Sequence, residues 1–116
     1  NGRSANTVLD EPGHLAFGPY ASDWSDGPKQ AVFRMLIDVV SGAPEIVATA
    51  DIFDATTQEI VASRQILRSN FDLPFTYRNI AFYFDMTGRE GNRMETRLYW
   101  HDISYLRLDR VTILER

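Results

Sequence analysis

The chain has 116 residues, the length of one domain and enough to bury a core without cross-links. With 44% apolar and 24% charged residues it is neither disordered nor membrane-spanning, and no apolar run approaches the ~20 residues of a transmembrane helix. Cysteine is absent, which excludes thiol catalysis, disulfides and thiolate metal sites, and a net charge of −4 argues against a polyanionic partner.

Residues 1–13 read as a lead-in to a sandwich domain over 14–116, with Thr7-Val-Leu9 the one strand-like piece and Asp10-Glu-Pro-Gly13 a turn. The chain starts with Asn and shows no apolar signal-peptide core, so it is expected to belong to a longer parent chain, with its compartment left open. His14-Leu-Ala-Phe17 is a short apolar run closed by Gly18-Pro19. Tyr20 to Pro28 is a polar loop carrying two large aromatics, Tyr20 and Trp24, and two carboxylates, Asp23 and Asp26. Such loops lie on the surface and often carry function; the competing role for Trp24 is to cap one end of the core.

Residues 30–40 give the clearest strand. Ala31, Phe33, Met35, Ile37 and Val39 alternate with Val32, Arg34, Leu36 and Asp38. After Ser41-Gly-Ala-Pro44, residues 45–53 alternate again, with Ile46, Ala48, Ala50 and Ile52 opposite Val47, Thr49, Asp51 and Phe53. A turn at 54–58 leads into 59–67, whose apolar residues fit neither period cleanly; shortness and flanking turns favour a strand. Residues 75–86 are rich in Phe and Tyr and predict a strand, followed by a turn with two glycines at 87–92. Two further strands, 94–101 and 105–114, complete the chain. Seven or eight short strands with regular turn signals predict an all-β fold, an antiparallel β-sandwich of jelly-roll type with about eight strands.

No nucleophile elbow, phosphate loop or dinucleotide fingerprint is present, and the two histidines, His14 and His101, are far apart in sequence. The chain is therefore not expected to be an enzyme; a hydrolase or lyase built on an Asp/His pair would depend on His101. Asp23, Asp26, Asp51, Asp54 and Asp109 are hard oxygen ligands of the kind calcium accepts, but Asp/Ser/Gly loops more commonly form plain turns. No cofactor is expected, with a structural calcium as the alternative. Nucleic acid is disfavoured by the acidic charge and the lack of a basic run.

What remains is aromatic residues interleaved with Arg, Asp and Asn. Sugars are recognised by this mixture, because their C–H faces stack on rings while their hydroxyls bond to guanidinium, carboxylate and amide groups. The candidates are Tyr20, Trp24, Arg34, Asp51, Arg64, Arg97, Tyr99 and His101, with Asp38, Tyr77 and Asn79 nearby in the pattern. Alternation directs Arg97, Tyr99 and His101 to one face and Met94, Thr96, Leu98 and Trp100 to the other, which places Trp100 with the core. Arg97 either meets a ligand or pairs across strands with Asp38, Asp51 or Glu95.

The order Gly18-Pro-Tyr20, Gln30-Ala-Val-Phe-Arg-Met35, Ala50-Asp-Ile-Phe-Asp54, Thr96-Arg-Leu-Tyr-Trp-His101 and Leu106-Arg-Leu-Asp-Arg-Val111 resembles jelly-roll, galactose-binding-like domains used as carbohydrate-binding modules. Similar stretches occur in accessory domains of bacterial polysaccharide-processing proteins. The resemblance spans roughly residues 14–114 and implies a sugar-binding surface, in some cases a structural calcium, and no catalysis. The loop Asp23-Trp-Ser-Asp-Gly27 departs from the pattern, which has a shorter Pro/Gly-type segment there; ligand contacts in this loop are then either absent or the source of specificity. The expected partners are an oligo- or polysaccharide and neighbouring domains of the parent chain, without nucleic acid or membrane insertion. The alternative is a structural or protein-interaction sandwich within a larger protein, its aromatics forming an interface.

Overall fold

Period-two alternation fixes the strand at the centre of the fold. In β3 (Pro28–Ile37) the side chains of Ala31, Phe33, Met35 and Ile37 are all buried, whereas Val32 and Arg34 between them are half-exposed. The computed structural model describes residues 3–5, 13–17, 22–38, 45–101 and 105–116. Eight strands run through them: β1 (Arg3–Ala5), β2 (Gly13–Phe17), β3, β4 (Ile46–Asp54), β5 (Glu59–Leu67), β6 (Arg78–Asp85), β7 (Met94–Trp100) and β8 (Leu106–Glu115), with a 3-10 turn at Arg68–Asn70 after β5.

The strands form two four-stranded antiparallel sheets, ordered β1-β8-β3-β6 and β2-β7-β4-β5. Within these orders β1 lies beside β8, β2 beside β7, β3 beside β6 and β4 beside β5. The chain is thus one long hairpin, bent at the β4–β5 turn and wrapped so that its two-stranded ribbon passes from sheet to sheet. The β3–β8 and β4–β7 ladders close the wrap. This is the jelly roll, and it buries one face of each sheet against the other.

The core sits between the sheets. Phe33, Met35, Ile80, Phe84 and Leu108 from the first face Ala50, Ile52, Ile66, Leu98 and Trp100 from the second. Trp100 is fully buried, on the side that alternation assigns it. Phe33 stacks on the half-buried Phe82 with ring centroids 5.9 Å apart. The sandwich is laced at one side by Arg64 of β5, whose Nη1 donates to the Ala81 carbonyl of β6 at 2.6 Å, so that two edge strands of different sheets are tied together.

Several boundaries differ from the sequence reading for identifiable reasons. β1 lies inside the stretch expected as a lead-in and pairs with β8, while Thr7–Leu9 falls outside the described residues. The strand expected from residue 75 starts instead at Arg78, because Phe75 has φ +53° and the left-handed region cannot continue a ladder. Residues 59–67, ambiguous in period, are a strand, β5. No helix among the described residues is long and apolar enough to cross a membrane.

Candidate functional site

Side chains directed away from the core on β4 and β7 converge on the outer face of the second sheet. The register sets Asp51 opposite Arg97, Thr49 opposite Tyr99 and Phe53 opposite Glu95. On the far side of β4, Ser63 of β5 lies opposite Asp51 and Gln65 opposite Thr49. Period-two geometry then makes one continuous surface of Thr49, Asp51, Phe53, Glu95, Arg97 and Tyr99, which His101 extends immediately past the end of β7.

Arg97 and Asp51 form its centre. Nε donates to Oδ1 at 2.7 Å and Nη2 to Oδ2 at 2.8 Å, the bidentate fork that a planar guanidinium makes with a carboxylate. Both side chains are largely buried. The hydrogen bond to Asp51 raises the Arg97 pKa above its ordinary value against the opposing effect of burial, with the charges of Asp51 and Glu95 adding to it. The guanidinium also lies 4.1 Å from the centre of the Phe53 ring. The carboxylate and the ring hold its plane on two sides.

Tyr99 stands beside this fork, 39% exposed. Its ring meets His101 edge to face, centroids 5.2 Å apart at 80°. His101 is fixed in turn by a 2.8 Å hydrogen bond between Nε2 and the Thr49 hydroxyl, whose direction follows the imidazole tautomer, and its backbone N–H donates to the Val47 carbonyl at 3.2 Å. The result is a part-exposed aromatic ring beside a polar floor of carboxylate, guanidinium, hydroxyl and imidazole. Such a surface can stack an apolar ring face and bond to hydroxyls.

The eight sequence candidates divide five ways. Asp51, Arg97, Tyr99 and His101 come together on this face. Arg34 belongs to the outer face of the other sheet, where Nε donates to Asp109 Oδ2 at 3.1 Å and the guanidinium lies over Tyr77. Arg64 laces the sheets, and Trp24 packs against the core with its ring 5.8 Å from that of Phe84. Tyr20 falls outside the described residues, as does the side chain of His14. The loop that departs from the carbohydrate-module pattern is pinned in place: Asp26 and Glu90 exchange backbone-to-carboxylate bonds, and the buried Lys29 donates to Ser25 Oγ, the Asp26 carbonyl and Glu115. Phe53, Thr49 and Glu95 were not among the candidates. The alternation that grouped Thr49 and Phe53 with Asp51 was the signal that could have found two of them.

The acids that suggested calcium are engaged elsewhere or dispersed. Asp54 is fully buried, accepting from the Thr56 and Thr57 amides through Oδ1 and from Arg89 and Asn92 through Oδ2. Among the described residues no three His, Asp or Glu side chains group as a metal site.

Comparison with known proteins returns no matching family model and no matching curated sequence. Solved structures do match. One described as "CBM4 structure and function" superposes with a TM-score of 0.56 at 9% identity over 84% of this chain, which spans 58% of that one. Another, described as "EclA C-terminal domain; sugar-binding protein", gives a TM-score of 0.54 at 10% identity over 97% of this chain and 76% of that one. At this identity the likeness is one of fold alone, a β-sandwich.

Proposed function

We propose that the chain is a non-catalytic carbohydrate-binding module whose ligand lies on the outer face of the β2-β7-β4-β5 sheet. The observation that carries this reading is the part-exposed Tyr99 ring, edge to face with His101, beside the largely buried Arg97–Asp51 fork. A pyranose ring stacks its C–H face on Tyr99, while its hydroxyls reach the Arg97 guanidinium and the Asp51 carboxylate at the edge of the fork. The fold shared with a CBM4 structure and a sugar-binding domain supports the same reading by analogy.

The charge on the face narrows the ligand. Asp51 and Glu95 outnumber Arg97 on the strands themselves, and the whole chain carries −4. A neutral glycan suits this balance better than a uronate or sulfated chain, which would bring like charge to the carboxylates.

Affinity electrophoresis through gels containing soluble neutral polysaccharides tests the proposal. Retardation by at least one of them is expected for the wild-type chain, with loss of retardation in a folded Tyr99→Ala variant. Free migration of the folded wild type through xylan, β-glucan, mannan and galactan alike would overturn it.

A further inference from the structure

The geometry points to a second sugar-contacting site, built by the loop between the 3-10 turn and β6, in which one hexose ring stacks on Phe75 and bonds to Asp72 and Arg78. This extends the glycan reading and rests on it. The loop sets two large apolar side chains in water within three positions: Leu73 is 61% exposed and Phe75 65%. Phe75 adopts φ +53°, a conformation that bulky residues avoid, and it is held there by its amide donating to the Ile37 carbonyl at 2.8 Å. Its ring is braced by Tyr105, centroids 6.2 Å apart, while most of its surface stays open to solvent. A strained backbone that holds a ring outward runs against burial, and recognition is the ordinary reason for such a conformation.

In the same loop lies a shallow, open hollow of about 110 Å³ lined by Asp72, Leu73, Thr76, Tyr77 and Arg78, the residues that flank Phe75 in sequence. That is well below the roughly 300 Å³ of enclosed small-molecule sites, so it seats the edge of one sugar ring rather than an extended chain. Asp72 and Arg78 form an ion pair at the hollow, so a carboxylate acceptor and a guanidinium donor stand side by side, as adjacent ring hydroxyls require. One wall is rigid, because Arg107 Nε donates to the Tyr77 hydroxyl at 2.9 Å and Arg34 lies over the Tyr77 ring at 4.8 Å. Arg34 and Arg107 belong to the β1-β8-β3-β6 sheet, whereas Tyr99 and Arg97 belong to the other, so the two sites are separate. A module with two such sites would grip a polysaccharide at two points and gain avidity without new contacts.

Nuclear magnetic resonance titration of the whole chain with xylohexaose, cellohexaose, laminarihexaose and mannohexaose separates the cases. Shift changes are expected in two clusters, residues 49–53 with 95–101 and residues 72–78. Phe75→Ala should remove the second response and spare the first, and Tyr99→Ala should do the reverse. Phe75→Gly relieves the left-handed backbone, so it should raise the urea midpoint while abolishing the second response, which separates loss of the site from loss of the fold. Shifts confined to the Tyr99 cluster overturn the second site and leave the glycan reading intact. Shifts confined to 72–78 overturn the Tyr99 face as the ligand surface and keep the loop site. Shifts in neither cluster of a folded chain overturn both. Concentration-dependent broadening at 72–78 without sugar would make the patch a self-association surface instead.

Discussion

Arg97 and Asp51 sit directly opposite one another on neighbouring antiparallel strands and close a two-bond fork, 2.7 and 2.8 Å long, in a largely buried position. Removing either partner leaves the other charge buried without its counterpart. Asp51→Ala and Arg97→Ala are each expected to destabilise the chain by about 2–4 kcal/mol, and the double variant by clearly less than the sum. Urea denaturation of the four proteins in this cycle should give a coupling of about 1–3 kcal/mol. A coupling below ~0.5 kcal/mol would mean that the pair behaves as a solvated surface bridge and cannot serve as a rigid floor for a ligand.

Tyr99 lies outside the core cluster, so its removal should be felt in binding more than in folding. Tyr99→Ala is expected to weaken glycan binding about tenfold, the ~1–1.5 kcal/mol of a stacked ring, while the chain still folds and loses no more than about 1–2 kcal/mol of stability. Tyr99→Phe should retain most of the affinity. Because the proposed ligand is neutral, raising sodium chloride from about 50 to 500 mM should change the affinity less than about twofold. A steep salt dependence would point to an anionic glycan and to Arg97 as its counter-charge.

The strands were legible because one face of each is buried, and period two reads out that burial. It sorts Trp100 into the core and Arg97, Tyr99 and His101 onto one surface without any knowledge of the partner strand. Pairing was not legible. Nothing in the local pattern says that Asp51, rather than Asp38, lies across from Arg97, since that depends on how the ribbon wraps; Glu95 is excluded only because it shares the strand of Arg97. Arg34 and Arg64 show the same limit. Each is an arginine on a half-exposed strand position, yet one lies on the opposite sheet and the other bridges two edges. The positive φ of Phe75 is also invisible to a β-propensity argument, which simply extends the strand through it.

The core can be graded by the same logic. Phe33 is fully buried, and Phe82, which stacks on it, is only half so. Phe33→Ala is expected to cost ~3–5 kcal/mol, within the range for a fully enclosed aromatic. Phe82→Ala should cost less, roughly 1–3 kcal/mol, because part of its surface is already in water. Chemical denaturation of the two variants checks the difference. Equal losses would mean that Phe82 is enclosed as completely as Phe33, and that the β6 edge of the sandwich is covered.

Asp54 stands at the bend of the long hairpin and ties it to the loop before β7. Its Oδ1 accepts from the Thr56 and Thr57 amides of the β4–β5 turn, and its Oδ2 accepts from Arg89 and Asn92, both at 2.8 Å. Gly88 and Gly91, at φ +80° and +86°, let that loop curl back to deliver them. Burial alone would raise the Asp54 pKa, but the bonds from Asn92, Arg89, Thr57 and Thr56 prevail and lower it from 3.8 to about 2. A carboxyl whose pKa is lower in the folded chain stabilises it fully above the unfolded value. That contribution fades as pH falls from about 4 towards 2 and is gone below both values. It amounts to about 2 kcal/mol at neutral pH. Asp54→Asn should therefore be less stable than wild type at pH 7 by at least this amount, since Asn also presents an N–H to Arg89 where the wild type has an acceptor. The gap between the two proteins should narrow through the window from about pH 4 to pH 2, where Asp85 and Glu115, whose pKa values are also lowered, affect both alike; the like charge of Asp54 opposes the lowering at Glu59, so its removal leaves Glu59 the more strongly held by Arg89. Urea midpoints measured for both proteins from pH 7 to pH 2 decide it. A gap that stays constant across that range would mean that Asp54 titrates as it does in the unfolded chain, and that its four bonds hold the bend without favouring the ionised form.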